Sequence, residues 1–335
     1  MMVNGETERG VTLNLDEISF RFQDLHSQAV FKLGIQRTLK VADDGREYDL
    51  PAGLGRFPVV PVRECANPTA QMRVRKGVAI PMWPSEAAWL SFEAEYPFLL
   101  MIAAGKINAV TGESWQDGIN TNNQNFIVVP AQPWLDGFRV DPRTVRQFVA
   151  TKLGAGATVE EQLTGQAEWG GLQIKVVPMK PAFHWRQIGR ERFEAKVRRD
   201  MERRLRGDRI GVDEHTPYNE IAFSRSGQAD SEMGMAAGGK IRQAIEKDPY
   251  GPRAWMEDLS LRCFFHLVDA RVWEHVAGRP CPTAPISEDE YRKRGIPWFR
   301  HYEAAALTTP TSLAGIRGLD SFNPTSHTVI ESEDL

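Results

Sequence analysis

The sequence predicts an α+β protein, with a β-sandwich-like N-terminal part followed by a mixed, helix-containing C-terminal part. Two observations carry this prediction. Short apolar runs separated by turn residues fill the first half of the chain, as in Phe98–Ala104, Ile107–Val110 and Phe126–Val129. Beyond about residue 180 the pattern changes, and apolar residues recur every fourth position across residues 190–207, which is typical of a helix.

On this pattern we divide the chain into four parts. Residues 1–10 form a flexible polar N-terminus, and residues 11–182 form a β-rich domain. Residues 183–307 form a mixed α/β part packed on that domain, and residues 308–335 form a polar tail. The pattern leaves open whether residues 11–307 share one core or build two.

The predicted strands show the alternation expected of half-buried strands or consist of short apolar runs. Besides the three runs above, they are residues 18–22, 29–41, 74–82, 145–150 and 172–177.

The predicted helices carry start and stop signals. Thr158 with Glu161 three residues later has the spacing of a capping box. Residues 272–277 end at Gly278, and residues 239–247 end before a turn containing proline, so both favour short helices. The apolar stretch 259–268 fits either a strand or a helix.

Composition excludes several classes of protein. The chain has 335 residues, a formal net charge of −3 and three cysteines, which argues against a nucleic-acid binder and against a disulfide framework. No stretch approaches the roughly 20 apolar residues of a membrane-spanning helix, and the N-terminus does not resemble a secretory signal. We therefore expect a soluble cytoplasmic protein, and no motif implies a cofactor or a metal.

Polar residues in the turns around residues 98–138 are candidates for a site, because loops on a rigid sheet often carry binding groups. Glu113, Asp117 and Asp136 are possible catalytic carboxylates, since a pair held about 5–10 Å apart can do acid–base work. His184 follows the last clear strand of the β-rich domain and is added to this catalytic set.

Trp115, Asn120 and Trp134 are candidate ligand-binding residues in the same turns. Indole rings beside carboxylates and amides commonly hold a sugar ring or another small polar ligand. The alternative is that the Asp and Asn side chains cap turns and the tryptophans anchor a core.

A glycine-rich segment resembles a phosphate-binding loop in spacing. Gly234 is followed after four residues by Gly239 and Lys240, but Ile241 occupies the position where such loops carry Ser or Thr. A looser anion site at Gly238, Gly239 and Lys240 is the remaining functional interpretation. The structural alternative is a glycine turn that lets a helix pack closely.

Cys263, His266 and Asp269 are three residues apart in an apolar stretch. On a helix they would approach one face and suggest a nucleophile or metal pair. On a strand Cys263 and His266 point to opposite faces, and the cluster does not form.

The segment Arg190–Arg209 carries nine basic and five acidic residues on a predicted helix. It is a candidate surface for a protein partner, although the interspersed acids also fit a solvated face with i,i+4 ion pairs.

The strings GKINAVTGESW, QPWLDGF, GGLQIKVVPMK and GMAAGGKIRQ are similar to those of a family of uncharacterised bacterial proteins. The resemblance covers about residues 80–300. It implies no activity, cofactor or catalytic residue for these positions.

The sequence thus favours a binding or interaction protein that uses loops of a β-sheet scaffold to hold a small polar or anionic ligand. The alternative is a hydrolase-like enzyme that uses the carboxylates of residues 113–136 or the Cys263, His266 and Asp269 cluster.

Overall fold

A computed structural model describes residues 9–190, 232–293 and 315–322. The strands in these ranges are β1 (Arg9–Asn14), β2 (Glu17–Phe22), β3 (Val30–Thr38), β4 (Glu47–Tyr48), β5 (Val60–Pro61), β6 (Val78–Met82), β7 (Ala87–Ala94), β8 (Phe98–Ala104), β9 (Ile107–Asn108), β10 (Ile127–Val129), β11 (Trp134–Leu135), β12 (Gly137–Asp141), β13 (Thr144–Lys152), β14 (Leu172–Pro178), β15 (Glu232–Arg242) and β16 (Leu261–Asp269). The helices are α1 (Ala70–Arg75), α2 (Val159–Thr164), α3 (residues 181–190), α4 (Trp273–Ala277) and α5 (Glu288–Lys293).

All sixteen strands belong to one sheet, whose main path runs β1-β2-β3-β7-β13-β15-β16-β14-β8-β10. The neighbours on this path are antiparallel, while β4 joins β15 and β6 joins β16 in parallel. The prediction of an α+β protein is confirmed at this level, with a large and mostly antiparallel sheet accompanied by a few short helices.

Strands from the C-terminal part are inserted into the sheet of the N-terminal part. β15 pairs with β13, and β16 pairs with β14, so both lie between strands that precede residue 180. Residues on both sides of the predicted boundary therefore contribute to one continuous sheet.

The predicted strands in residues 98–138 are confirmed, and their pairing is now defined. β14 pairs along the whole of β8, from Phe98 to Ala104. β9 and β10 share the opposite edge, where β9 pairs with Ala103 and Ala104 and β10 pairs with residues 98–100. β8 is fully buried because strands cover both of its edges and it lies within the main apolar core.

Two secondary-structure predictions are wrong. Residues 74–82 were expected to form one strand, but residues 74 and 75 close α1 and the strand β6 begins at Val78. Residues 239–247 were expected to form a helix, but they continue the central strand β15 as far as Arg242.

Gly239 shows why the strand prevails at that position. A Cβ atom on Gly239 would lie 2.2 Å from the carbonyl oxygen of Ala42, so the neighbouring backbone passes too close for any side chain. This glycine allows close approach between chain segments. It does not begin a helix.

The capping box predicted before α2 is confirmed. The Thr158 hydroxyl accepts the Glu161 N–H at 3.1 Å, and the Glu161 carboxylate accepts the Thr158 N–H at 3.1 Å. The same carboxylate accepts the N–H groups of Gly154 and Gly156 at 2.8 and 2.9 Å. Glu161 thus fixes both the start of α2 and the loop before it.

Candidate functional site

Asparagine side chains shape the loop between β9 and β10. Asn120 Oδ1 accepts the backbone N–H groups of Asn122 and Asn123, each at 3.1 Å. Asn125 Oδ1 accepts the Asn120 N–H at 2.9 Å, and Asn108 Nδ2 donates to the Asn125 carbonyl at 2.7 Å. The loop therefore has a defined shape and is tied to the sheet through Asn108.

Two glutamines join this region to the segment after β15. Gln124 Oε1 accepts the Asp248 N–H at 2.9 Å, and Gln124 Nε2 donates to the Glu246 carbonyl at 2.8 Å. Gln132 Oε1 accepts the Glu246 N–H at 3.0 Å. These bonds fix the backbone of the segment and leave the Glu246 carboxylate out of the network.

A cleft of about 640 Å³ lies between the β9–β10 loop, the segment after β15 and β12. We call it the amide cleft, and it is lined by Val110, Thr121, Asn122, Asn123, Gln124, Phe126, Arg139, Pro142, Ile245, Glu246, Lys247, Asp248, Gly251 and Pro252. Its volume falls in the range of small-molecule sites. Its walls combine amides, a hydroxyl group, charged side chains and a few apolar groups.

Arg139 is the cation best placed to hold a ligand in the amide cleft. Its backbone N–H donates to the Ala109 carbonyl at 2.9 Å, and the register of β12 on β13 shifts immediately after it. Such irregularities redirect side chains and are frequent beside functional sites. Arg139 is half-buried, and its guanidinium has no ion-pair or hydrogen-bond partner among the described residues.

Charge in the amide cleft is balanced overall. Arg139 and Lys247 oppose Glu246 and Asp248. The Asp248 carboxylate is occupied, since it accepts the Tyr250 N–H at 2.8 Å and the indole N–H of Trp255 at 3.0 Å. The arrangement favours a ligand recognised by several well-placed polar contacts over one attracted by net charge.

Glu113 and Asn120 are brought together at the edge of this cleft. Asn123 Nδ2 donates to the Glu113 carboxylate at 3.0 Å, while the Asn123 backbone N–H donates to Asn120. Both predicted residues therefore position Asn123, which lines the cleft. Neither of them lines it directly.

Asp117 and Trp115 lie together beside β14 and β16, outside the lining of the amide cleft. Arg262 of β16 donates to the Asp117 carboxylate, and Lys175 of β14 donates to the Asp117 carbonyl at 2.5 Å. The Arg262 guanidinium also lies 5.3 Å from the centre of the Trp115 ring. This cluster fastens the loop to two adjacent strands.

Asp136 and Trp134 form a third group at the start of β12. Asp136 is buried, its Oδ2 accepts the Trp134 indole N–H at 3.3 Å, and its backbone N–H donates to Gln243 at 2.9 Å. Its Oδ1 has no hydrogen-bond partner among the described residues. Burial raises the pKa of Asp136 to about 7, while the Trp134 bond opposes that rise.

His184 lies in an aromatic cluster at the start of α3. Its ring is 4.3 Å from that of Tyr96 and 4.9 Å from that of His26. The Tyr96 hydroxyl donates to the Met179 carbonyl at 2.6 Å, which holds this cluster against the end of β14. The contacts of His184 are thus distinct from those of Glu113, Asp117 and Asp136.

Gly238, Gly239 and Lys240 all lie within β15, so their backbone N–H groups do not form a loop around an anion. A Cβ on Gly238 would lie 2.6 Å from a methyl group of Val149, and the Gly238 carbonyl accepts a bond from Arg146 at 2.9 Å. The glycine turn that would let a helix pack closely does not form either, because the close contacts of these glycines occur within a strand.

Cys263, His266 and Asp269 lie on the strand β16 and make separate contacts. Burial raises the pKa of the Cys263 thiol to about 12. His266 Nε2 lies 2.8 Å from the Lys76 carbonyl oxygen, and Asp269 binds Arg271. In residues 9–190, 232–293 and 315–322, no group of three His, Cys, Asp or Glu side chains is arranged to hold a metal ion.

The basic segment proposed for a protein partner lies outside the described residues, except for Arg190 itself. No helix in the described part of the chain is long and apolar enough to cross a lipid bilayer.

Sequence reasoning missed the residues that line the amide cleft, above all Arg139 and the segment 245–248. The asparagine-rich run 120–125 was a usable signal, because such residues form turns with exposed amides. The sequence does not mark Arg139 as a site residue, since an arginine in an alternating strand is usually an ordinary solvent-facing residue.

Searches against protein-family models, curated proteins and solved structures found no match to this chain.

Proposed function

We propose that the protein is a binding protein that holds a small polyhydroxylated acid in the amide cleft. The observation that carries the proposal is Arg139, a half-buried residue that lines a cleft of about 640 Å³ and whose guanidinium has no partner among the described residues. A guanidinium pairs with a carboxylate through two parallel hydrogen bonds, which gives orientation as well as affinity.

The other walls of the cleft suit the hydroxyl groups of such a ligand. Asn122 and Asn123 are exposed amides on a loop whose backbone is fixed by Asn120 and Asn125. An amide both donates and accepts, so it matches the same dual capacity of a hydroxyl group. Because the loop is held before binding, little conformational entropy is lost when the ligand enters.

The apolar groups of the cleft give the carbon skeleton of the ligand a place to pack. Phe126, Val110 and Ile245 line the cleft beside the amides. Lys247 and Glu246 lie on the segment fixed by Gln124 and Gln132, and both belong to the lining. Together these groups favour a sugar acid over a polyanion.

We also infer that the sheet folds over itself in the manner of a β-sandwich. The rings of Phe22 on β2 and Phe98 on β8 are 5.6 Å apart, although their strands lie near opposite ends of the sheet order. Phe31 on β3 also lies 5.9 Å from Phe98. These contacts support two facing halves around a shared core.

A hydrolase-like enzyme is the second candidate, and Asp136 is the observation that favours it. A carboxyl with a pKa of about 7 is suited to general acid–base catalysis. The backbone N–H of Asp136 donates to the Gln243 side chain. The side-chain amides of Gln243 and Gln132 donate to the Trp134 carbonyl at 3.2 and 3.1 Å. Asp136 itself does not line the amide cleft.

Calorimetric titration with glucuronate and with neutral glucose tests the binding proposal. We expect glucuronate to bind the wild-type protein more tightly than glucose, and Arg139→Gln to weaken glucuronate binding at least tenfold. Arg242→Gln is the matched control, because it removes an exposed arginine on β15 that pairs with Asp49. Equal glucuronate binding by the wild type and by Arg139→Gln would exclude this role for Arg139.

Incubation with 4-nitrophenyl glucuronide separates the two candidates. The binding proposal expects no release of 4-nitrophenol. Release that is lost in Asp136→Asn, in protein that remains folded, would instead favour the enzyme. Asp117→Asn is the comparison variant in this assay, because it changes a carboxylate that is already paired with Arg262 and Lys175.

A further inference from the structure

A second cleft, of about 400 Å³, lies beside the carboxyl end of α1. We call it the cationic cleft, and it is lined by Pro61, Val62, Arg63, Cys65, Pro68, Arg73, Lys76 and Gly77. None of these residues lines the amide cleft. We propose that the cationic cleft binds a small organic phosphate whose carbon portion is apolar.

Positive charge dominates this cleft. Arg63, Arg73 and Lys76 line it, and no acidic residue of the described ranges belongs to its lining. Glu64 is the nearby acid, and it lies 3.6 Å from Arg63 and 3.8 Å from Arg279. Within the part of the chain that the structure describes, Arg73 and Lys76 have no ion-pair partner, which leaves two cations available to a dianion.

Arg75 provides an internal comparison on the same helix. Its Nη1 donates to the Trp169 carbonyl at 2.9 Å, and its guanidinium lies 3.7 Å from the centre of the Trp169 ring. Arg75 is therefore occupied by the protein itself. Arg73 and Lys76 lie within three residues of it in the chain, but they line the open cleft, and Arg75 does not.

The backbone holds Lys76 in an uncommon conformation. Its φ and ψ are 57° and −147°, a region that glycine adopts far more readily than lysine. Its N–H donates to the Met72 carbonyl at 2.8 Å, and its carbonyl oxygen lies 2.8 Å from His266 Nε2. A lysine in this region is strained where glycine would not be, and strain of this kind is common at binding sites.

Gly77 fixes this turn against the sheet. A Cβ on Gly77 would lie 2.2 Å from the Phe264 carbonyl oxygen, so the backbone of β16 packs directly against it. The next strand, β6, then pairs with β16 from Val78 onward. The base of the Lys76 side chain is therefore held in place before any ligand binds.

The apolar lining of the cationic cleft suits the rest of the ligand. Pro61, Val62, Cys65 and Pro68 line the cleft together with the cations. Guanidinium groups match the geometry of phosphate oxygens, and an ammonium adds a point charge. The combination suits a phosphate monoester with an apolar group better than free inorganic phosphate.

Calorimetric titration with phenyl phosphate, inorganic phosphate and phenol tests this proposal in the full chain. We expect phenyl phosphate to bind more tightly than either of the other two compounds. Arg73→Gln and Lys76→Gly should each weaken its binding at least tenfold. Lys76→Gly removes the ammonium while easing the backbone, so its melting temperature should equal or exceed that of the wild type.

Arg46→Gln is the control, because Arg46 is strongly exposed, lies outside the lining of the cationic cleft and faces Asp44 at 3.6 Å. It should leave phenyl phosphate binding unchanged. Unchanged binding in Lys76→Gly, or loss of the same size in Arg46→Gln, would overturn the proposal. Equal affinity for phenol and phenyl phosphate would overturn it as well, since the cations would then contribute nothing.

Discussion

The indole N–H of Trp134 donates to Oδ2 of Asp136 at 3.3 Å, while the other carboxyl oxygen of Asp136 is buried without a partner among the described residues. One hydrogen bond does not offset the cost of burying a carboxylate. The pKa of Asp136 is therefore raised to about 7. Asp136 therefore contributes a defined dependence of stability on pH.

Asp136→Asn should remove part of that dependence. Since the pKa of Asp136 is about 7 in the folded protein and 3.8 as its ordinary value, the folded state binds more protons between these pH values. The contribution of Asp136 to stability should therefore fall as pH rises from about 4 to about 7, and then level off. The difference in pKa corresponds to at most about 4 kcal/mol.

Urea unfolding of the wild type and Asp136→Asn across this pH range measures the effect. The variant should show the smaller loss of stability between pH 4 and 7. Asp258→Asn is the control, because it alters an exposed aspartate. Parallel stability curves for the wild type and Asp136→Asn would show that Asp136 does not titrate in this range.

Gly239→Ala should destabilise the protein by about 1–3 kcal/mol or more, because overpacking displaces the backbone. The new Cβ would lie 2.2 Å from the Ala42 carbonyl oxygen. Gly118→Ala is the matched control, since a Cβ there meets nothing within 4 Å. Thermal unfolding compares the two variants, and equal melting temperatures would contradict the close approach.

Glu161→Ala should lower the free energy of unfolding by about 2 kcal/mol, which is the upper part of the range for loss of a helix cap. The change leaves the N–H groups of Gly154, Gly156 and Thr158 without their acceptor. Gln166→Ala, at an exposed position just beyond α2, is the control in the same chemical unfolding assay. A loss no larger than that of Gln166→Ala would mean that water replaces these bonds at little cost.

The parts of the fold that depend on local pattern were predictable from sequence. Thr158 and Glu161 are three residues apart, so the cap of α2 follows from chain geometry. Gly278 ends α4 in a left-handed conformation as expected of a C-terminal glycine. The strands β8 and β10 were also predictable from their apolar runs, because short apolar segments between turns do not form stable helices.

The parts that depend on distant neighbours were not predictable. Gly239 looks like a helix start until Ala42, almost two hundred residues away, is seen to pass over it. Asp136 resembles an exposed turn residue in the sequence, but in the fold it is buried and bonded through its backbone to Phe148 of β13 and to Gln243. Arg139 enters a site only because residues 121–126 and 245–252 meet above β12.

The central claim is that a small polyhydroxylated acid binds in the amide cleft. Chemical-shift mapping with glucuronate on isotope-labelled protein tests this claim most directly. We predict that the backbone amide signals of Asn122, Asn123 and Lys247 shift with one shared binding curve, and that Arg139→Gln abolishes these shifts. Shifts at other surfaces with these three signals unmoved, or equal shifts in the wild type and in Arg139→Gln, would contradict it.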